Sequence, residues 1–428
     1  MANNEYKNIG FVSTRISGTD GVSLEIEKWA AVLTRNGYSC FYFCGESDRS
    51  SDISYIVPEA HFDHPEIKKV NEPLFGVRTR ESEISEEISR LKHKLKSELY
   101  AFVKKFEIDV LIPENALTIP MNVPLGLAIT EFIAETGIPT IAHHHDFYWE
   151  RERFMINAAM DYLEMAFPPH LPSIKHVVIN SPASEQLSHR KGISNTIIPN
   201  VYNFAIPPSM DCSHCPEIRR MVGIGENDLF ILQPTRVVPR KWIERALEIV
   251  SQLNLTNPKL VISHASGDEG DLYYQRIIEY AKNLGVNIVS VDNIIGTQHE
   301  VHNLVKKYTI EDIYKCANLV TYPSGYEGFG NAFLETIYYK KPIVVNRYSI
   351  FISDIEPKGF DVISFDGFVT SSIIEKIKDV LSNKERQEEM VEKNYQLGLH
   401  YFSYETLERL LLSLLDQLYY QWGRNDSL

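Results

Sequence analysis

Short apolar runs bounded by glycine, proline and asparagine alternate along this chain with longer segments whose apolar residues recur at helical spacing. That alternation is the signature of parallel strands joined by crossover helices. The spacing predicts strands over residues 9–14, 38–44 and 109–113, a strand from 139 into the histidines at 143–145, and strands over 176–181 and 195–199. Helices are expected from the first glycine loop to about Gly37, over 81–106 and over 125–136. The same rhythm restarts in the second half. Strands are expected at 230–234, 259–264, 286–291, 318–323, 342–346 and 361–365. Helices are expected from about 239, at 271–282, 310–316 and 330–340, twice within 371–398, and in a final apolar-rich segment ending at 422. The interval 45–80, with its charges, prolines and histidines, gives no clear element. Around 201–217 turn formers and prolines gather, which places a boundary near 206. The expected organisation is an α/β chain with an amino-terminal Rossmann-like domain over 1–205, a second over 206–395 and a carboxyl-terminal helix within 396–428.

The densest chemistry lies in 321–346, where a strand runs into a glycine-bearing loop and a helix. A loop leaving the carboxyl end of a parallel strand is where open α/β sheets bind ligands. Gly328, Phe329, Gly330 and Asn331 stand where the intrahelical ladder has not begun, so their amides can receive an anion. Glu327 and Glu335 frame the helix start and can accept hydrogen bonds from hydroxyls. A donor carrying a diphosphate and several hydroxyls fits; a capped helix with solvated acids is the plainer alternative. Arg236 and Lys241 bracket the turn after the strand at 230–234, and such cations can neutralise a diphosphate without a divalent ion. Gly18 and Gly21 occupy the loop between first strand and first helix, without the GxGxxG dinucleotide pattern.

His143, His144 and His145 end the strand that begins at 139, with Asp146 next. Adjacent strand residues point to opposite faces, so three in a row cannot converge on one metal ion, and no cysteine or glutamate at ligand spacing assists them. Tyr148, Trp149, Arg151 and Arg153 follow; aromatic rings can carry a sugar face and arginine can clamp a carboxylate. With Arg15 and Arg80 from other loops, they suggest an acidic, sugar-containing acceptor. A solvated helix start explains either of Arg151 and Arg153 equally well when taken singly.

Glu327 and Glu335, with seven residues between them, together with Arg236 and Lys241 five apart, resemble the retaining nucleotide-sugar glycosyltransferases of family 4. That resemblance runs from the glycine loop through Pro199–Asn200, the IIG at 294–296 and TIEDIY at 309–314 to the last helix. It implies the GT-B fold, two Rossmann-like domains facing a central cleft, with the final helix packing back across them. It also implies roles. Glu327 contacts the donor sugar's hydroxyls, Glu335 the ribose hydroxyls, and Arg236 with Lys241 the diphosphate. Gly21 lies near donor phosphate and acceptor, and His145 with Asp146 marks the transfer site, where His145 positions the donor sugar and supports developing charge. His144 is an alternative contact for the acceptor. Two departures stand out: Trp242 where the family commonly has glycine, and Tyr339–Lys340 where it has a small residue and glycine. The stretches ENALTIPMN, AHHHDFYWERERF and IPNVYNF resemble a branch that moves mannose from GDP-mannose to glucosylglycerate, making a compatible solute. A family member acting on a lipid-linked or polysaccharide acceptor, or a non-enzymatic sugar-nucleotide-binding protein, are the rival readings.

Composition narrows the partners. A chain of 428 residues with 44% hydrophobic content can fill two cores. A formal charge of −14 argues against a general nucleic-acid binder, leaving small-molecule substrates. Five scattered cysteines suit a reducing cytoplasm better than a disulfide framework, and Cys212–Cys215 without a second pair reads as two linker cysteines. The polar start MANNEYKN has no signal-peptide core, and no apolar run is long enough to span a bilayer. No tightly bound cofactor and no metal are expected, a divalent ion being at most stimulatory; homo-oligomerisation is left open.

Overall fold

The computed structural model describes residues 7–18, 20–209, 211–255, 257–264, 271–296, 298–302 and 305–422; most of the polar opening stretch lies outside these. The chain divides into two compact units, 1–201 with 404–428, and 202–403. The division therefore falls at Val201/Tyr202, a few residues before the proline-rich stretch, and the last helix, Tyr404–Trp422, belongs to the first unit.

In the first unit β1 (Asn8–Val12), β2 (Ser39–Cys44), β3 (Ser54–Ile56), β4 (Val110–Pro113), β5 (Thr140–His144), β6 (Ile174–Val178) and β7 (Asn195–Ile197) form one parallel sheet. Its order is β3-β2-β1-β4-β5-β6-β7. Both faces are covered by helices, and the central strands are apolar runs buried almost throughout. The helix Tyr404–Trp422 contributes Leu407, Leu411, Leu414, Leu415 and Leu418 to a core shared with Ile26, Trp29 and Leu33 of the helix Gly21–Arg35. The interval 45–80, unassigned from sequence, supplies the edge strand β3 and a short helix, Pro65–Asn71, that buries only Ile67 and Val70. β6 starts two residues earlier than expected and stops before Asn180. The Asn180 side chain accepts from the Ala183 N–H at 2.8 Å and caps the helix Ser181–Lys191, ending the strand there.

The second unit holds a parallel sheet of β8 (Phe230–Gln233), β9 (Lys259–Ile262), β10 (Asn287–Ser290), β13 (Leu319–Tyr322), β14 (Ile343–Asn346) and β15 (Ile363–Phe365), in the order β10-β9-β8-β13-β14-β15. A hairpin of β11 (Glu300–His302) and β12 (Val305–Lys307) stands apart. The helix expected from 239 is broken after one turn. Pro239–Lys241 is a 3-10 turn, Trp242 adopts φ +47°, and the α-helix proper is Ile243–Gln252. Trp242 thus occupies the left-handed conformation for which glycine is the natural residue, which gives a backbone reason for the family's glycine at this place.

Candidate active site

In the first sheet the strand order reverses between β1 and β4, so the loops leaving these strands diverge and open a crevice at the carboxyl edge. Glu114, the first residue past β4, is completely buried there. Its N–H bonds the Val12 carbonyl at 2.8 Å, and the Asn115 N–H bonds the His143 carbonyl at 2.9 Å, which pins the strand end between β1 and β5. Glu114 Oε1 lies 2.6 Å from His145 Nε2 and 2.7 Å from His143 Nδ1. Those two rings are 4.6 Å apart, and His143 also stacks on Trp29 at 4.2 Å. His144 has a separate set of partners, as strand alternation requires. Its Nδ1 meets the Thr118 hydroxyl at 2.6 Å and its Nε2 meets His176 Nδ1 at 2.9 Å.

Charge follows from these contacts. Burial would raise the Glu114 carboxyl, but attraction to His143 and hydrogen bonds from both imidazoles outweigh it and hold the group below its ordinary value. For His145 burial works downward, yet the Glu114 bond and charge leave this ring raised. Burial and the neighbouring imidazoles drive His144 well down, and burial takes His176 to about 3. His145 is therefore the ring suited to carry a proton at this edge, and His144 a neutral one. The sequence expectation that no carboxylate assists the histidines is corrected: Glu114, His143 and His145 bring one ligand-type atom each within 4.8 Å of the others. Sheet pairing of residue 114 with 143, invisible to local spacing, is the reason.

Asn115, at φ +56°, extends this network. Its Oδ1 accepts from the His145 N–H at 3.1 Å, its Nδ2 donates to Asp146 Oδ1 at 3.3 Å, and Asp146 pairs with Arg151. Arg151 is thus linked through two side chains to His145. The other basic and aromatic candidates are placed differently. Arg80 is committed to Asp161 through two bonds of 2.7 and 2.6 Å and lies 4.3 Å over Tyr162, a structural clamp rather than an open cation. Tyr148 is buried in an apolar cluster with Ile67, Leu163 and Phe167, so its ring offers no sugar-stacking face. Trp149 stacks on Phe147 at 4.4 Å. Arg153 lies 4.6 Å from the Phe154 ring. Arg15 reaches Asp20 at 3.2 Å, and Asp20 caps the helix that opens with Gly21.

The second sheet reverses between β8 and β13. Gln233 and Thr321 tie these strand ends together at 2.8 Å, and Asn346 holds the next loop through the Ser324 carbonyl at 3.0 Å. Glu327, 6% exposed, forms ion pairs with Lys241 and, at 3.1 Å, with Arg240. Burial would raise its carboxyl; Lys241 and Arg240 outweigh that and keep it low. The Lys241 ammonium is itself lowered, first by burial and then by Arg240 and Arg236, which Glu327 only partly offsets. Lys241 and Arg240 pair with Glu327 and Arg236 acts on Lys241, so three cations and one carboxylate, 3 − 1, leave a surplus of two positive charges at the carboxyl edge of this sheet. Such a cluster accepts an anion readily. Gly330, at φ +125°, precedes the helix Asn331–Tyr338, and a Cβ there would meet the Tyr348 hydroxyl at 2.4 Å. Tyr348 in turn donates to the Phe329 carbonyl at 2.8 Å, fixing the loop that contains Gly328. Glu335, in the second turn, accepts from the Tyr314 hydroxyl at 2.9 Å. The sequence reading missed Arg240, whose adjacency to Lys241 was its one signal, and Glu114 with Asn115, which it met only as a strand end.

Comparison with known proteins decides the family. Residues 215–397 match the family model described as glycosyl transferases group 1. Over 426 residues, covering 92% of this chain and 96% of its relative, the chain is 32% identical to the mannosylglucosylglycerate synthase of Thermotoga maritima. The chain belongs to the group 1 glycosyltransferases. A second mannosylglucosylglycerate synthase, from Petrotoga mobilis, is 32% identical over 83% of this glycosyltransferase and 86% of its own length. Among solved structures, a glycosyltransferase from Rickettsia africae superposes with a TM-score of 0.69 at 13% identity, covering 97% of this chain and 99% of that one. The fold is GT-B, as the resemblance implied. Among the described residues no helix is long and apolar enough to cross a membrane.

Proposed function

We propose that this glycosyltransferase moves a sugar from a nucleoside diphosphate sugar, with retention, to a small acidic glycoside. The donor is GDP-mannose, the acceptor glucosylglycerate and the product a compatible solute. The observation that carries this reading is the full-length likeness to the Thermotoga maritima synthase. The surplus charge of Arg236, Arg240 and Lys241 supports a diphosphate ligand. Glu327 and Glu335 would accept from sugar and ribose hydroxyls. In the transfer the acceptor oxygen forms a bond to the anomeric carbon on the face from which the diphosphate oxygen departs. The bond to that oxygen breaks, and the oxygen takes the acceptor proton. The cations interact more strongly as negative charge builds on the leaving group, so their binding is spent on the transition state.

His145, whose proton affinity Glu114 raises, acts as a hydrogen-bond donor to the transferred sugar. Arg151 is the arginine assigned to the acceptor carboxylate, because Asp146 and Asn115 connect it to His145. A cytoplasmic site of action fits a nucleotide-sugar donor and reduced thiols. The test is product analysis of the purified protein with GDP-mannose and other sugar nucleotides, against glucosylglycerate and its neutral amide, with and without chelator. Retained anomeric configuration, a preference for the acid that Arg151→Ala abolishes, and turnover that survives chelator would support the reading. Equal use of the amide, transfer only to lipid or polysaccharide acceptors, or total dependence on a divalent ion would count against it.

A further inference from the structure

Three of the five cysteines, from positions a hundred residues apart, meet at the amino edge of the second sheet, the edge opposite to the Glu327 loop. Cys212, Cys215 and Cys316 line a cavity of about 410 Å³ together with Arg219, Lys315 and Lys341. Cys316 lies three residues before β13, and Lys341 two residues before β14. Cys212 is exposed, Cys215 half-buried and Cys316 buried, and Cys215 is in hydrogen-bond contact with both other thiols. Arg219 fixes this arrangement. It donates to the carbonyls of Gly225, Asp228 and Cys316 and to Asn318 Oδ1 at 3.0–3.2 Å, fastening the helix Cys215–Met221 to the start of β13.

We propose that Cys212 and Cys215 are a reversible dithiol–disulfide site, oxidised by a hydroperoxide, with Cys215 as the attacking thiolate and Cys212 as the resolving thiol. The backbone is already shaped for the bond. The Cys215 N–H donates to the Cys212 carbonyl at 2.9 Å, closing a turn. In such a turn the first and fourth Cα atoms lie within about 7 Å, and disulfides span about 4.4–6.8 Å. Asp211 holds the loop between them by accepting from the Ser213 N–H at 2.9 Å and the Ser213 hydroxyl at 3.1 Å. Lys341 supplies a half-buried ammonium whose Nζ donates to the Lys315 carbonyl at 2.9 Å, and the three thiols are the acidic groups facing it. Hydrogen bonding from Cys316, then from Cys212, with the charges of Lys341 and Arg219, overcomes burial and brings the Cys215 thiol down to about 7. Burial instead raises Cys212. One thiol is thereby set up to attack and its neighbour to resolve.

The chemistry balances. The Cys215 thiolate takes one peroxide oxygen as the O–O bond breaks, leaving a sulfenic acid and a hydroxide or alkoxide. Cys212 then attacks the sulfenic sulfur, the S–S bond forms, and the departing hydroxide is protonated to water. Two electrons pass from two thiols to the peroxide, and a dithiol reductant reverses the change. None of this involves the residues assigned to sugar transfer.

The experiment treats the full chain with hydrogen peroxide, unfolds it, alkylates the thiols that remain and analyses tryptic peptides by mass spectrometry. Cys212 and Cys215 share the peptide 192–219, whereas Cys316 lies in 316–340. Expected is a 192–219 peptide that loses both labels and two hydrogens, recovers both on reduction, and leaves 316–340 labelled. In Cys212→Ser, peroxide should instead leave a dimedone-reactive sulfenic acid on Cys215; in the unmutated chain the alkylation rate of Cys215, located by fragment ions, should reach half-maximum near pH 7. Labels that persist in 192–219, a cross-link from 192–219 to 316–340, or an alkylation profile centred on the free-thiol value of about 8.5 would overturn the proposal. So would inertness to peroxide coupled with protection of all three thiols by zinc.

Discussion

Replacing Glu114 by glutamine keeps the shape of a buried group and removes its charge, and the cost should depend on pH in one direction. The His145 imidazole is raised in the folded chain because the Glu114 bond and charge prevail over burial. Its contribution to stability is therefore complete below the unfolded value of about 6.5 and is lost as pH rises through the folded value. The Glu114 carboxyl, held low, contributes above the ordinary carboxyl value of about 4.3 and loses that contribution as pH falls through its folded value. The pair is fully charged between these limits, so the substitution costs most near pH 6. With glutamine present both imidazoles are buried without an anion, and protonation of His145 opposes folding. Removing one partner of a buried ion pair costs about 3–5 kcal/mol, and losing a charge-assisted hydrogen bond costs about 1.5–3. Because glutamine still offers an oxygen to a neutral ring, the lower range applies: about 2–3 kcal/mol at pH 6, falling to about 1 at pH 8.5. Urea unfolding followed by tryptophan fluorescence reads the first unit through Trp29, which stacks on His143. An equal loss at both pH values, or a larger one at pH 8.5, would refute the argument.

Arg236→Ala and Lys241→Ala should each lower turnover at saturating donor by about a hundredfold or more while leaving a folded chain; near-normal steady-state rates in both would remove them from the leaving-group site. Glu335→Ala should weaken donor binding about ten- to a hundredfold, the equivalent of one charged hydrogen bond, and unchanged affinity by calorimetry would take Glu335 out of the ribose site. Gly325→Ala should destabilise the second unit by about 1–3 kcal/mol, because its Cβ would sit 2.4 Å from the Trp242 ring. Adding Trp242→Gly should restore the melting temperature, since residue 242 already has a glycine-like φ of +47°; failure of the double variant to recover would locate the strain elsewhere. Donor affinity should stay level from about pH 6 to 8.5 while turnover declines as His145 loses its proton, and a parallel decline of the two would mean that the pH response lies in the donor loops.

The strands were legible because central parallel strands are buried on both faces and read as unbroken apolar runs. The helix Ile310–Cys316 was legible too, its Thr309–Asp312 capping box being a local signal. Residues 45–80 were not, because an edge strand and a helix that buries two apolar side chains leave little periodicity. The same distinction governs the site. Arg236 with Lys241, and Glu327 with Glu335, each fall within one loop-to-helix segment, so each pair was legible as a local spacing, whereas the Lys241–Glu327 ion pair joins positions 86 residues apart and was not. Glu114 acquires its partners across two strands, from residues about thirty positions away, and no local pattern reports that contact. Tyr148 misled for the converse reason. It stands in a short aromatic run flanked by Asp146 and by the charged residues 150–153, but its neighbours in space are Ile67, Leu163 and Phe167.

Glu114 and Glu327 answer one physical problem in two ways. Each lies just past the strand that flanks its sheet's reversal point, β4 beside β1 and β13 beside β8. Each is buried, and each stays ionised only because cations outweigh desolvation. The cations differ in kind. Guanidinium groups do not titrate near neutrality, so Arg240 holds Glu327 ionised even where the buried Lys241 ammonium weakens. The positive surplus over that carboxylate is then set by the architecture rather than by the solution. At Glu114 the charged partner is the His145 imidazole, a group that titrates and is raised by the carboxylate it bonds. Glu114 binds that ring tightly while it is protonated and loses part of its compensation when it is not. The proton on His145 and the ionisation of Glu114 therefore sustain each other, a coupling that Glu327 with its guanidinium partner does not share.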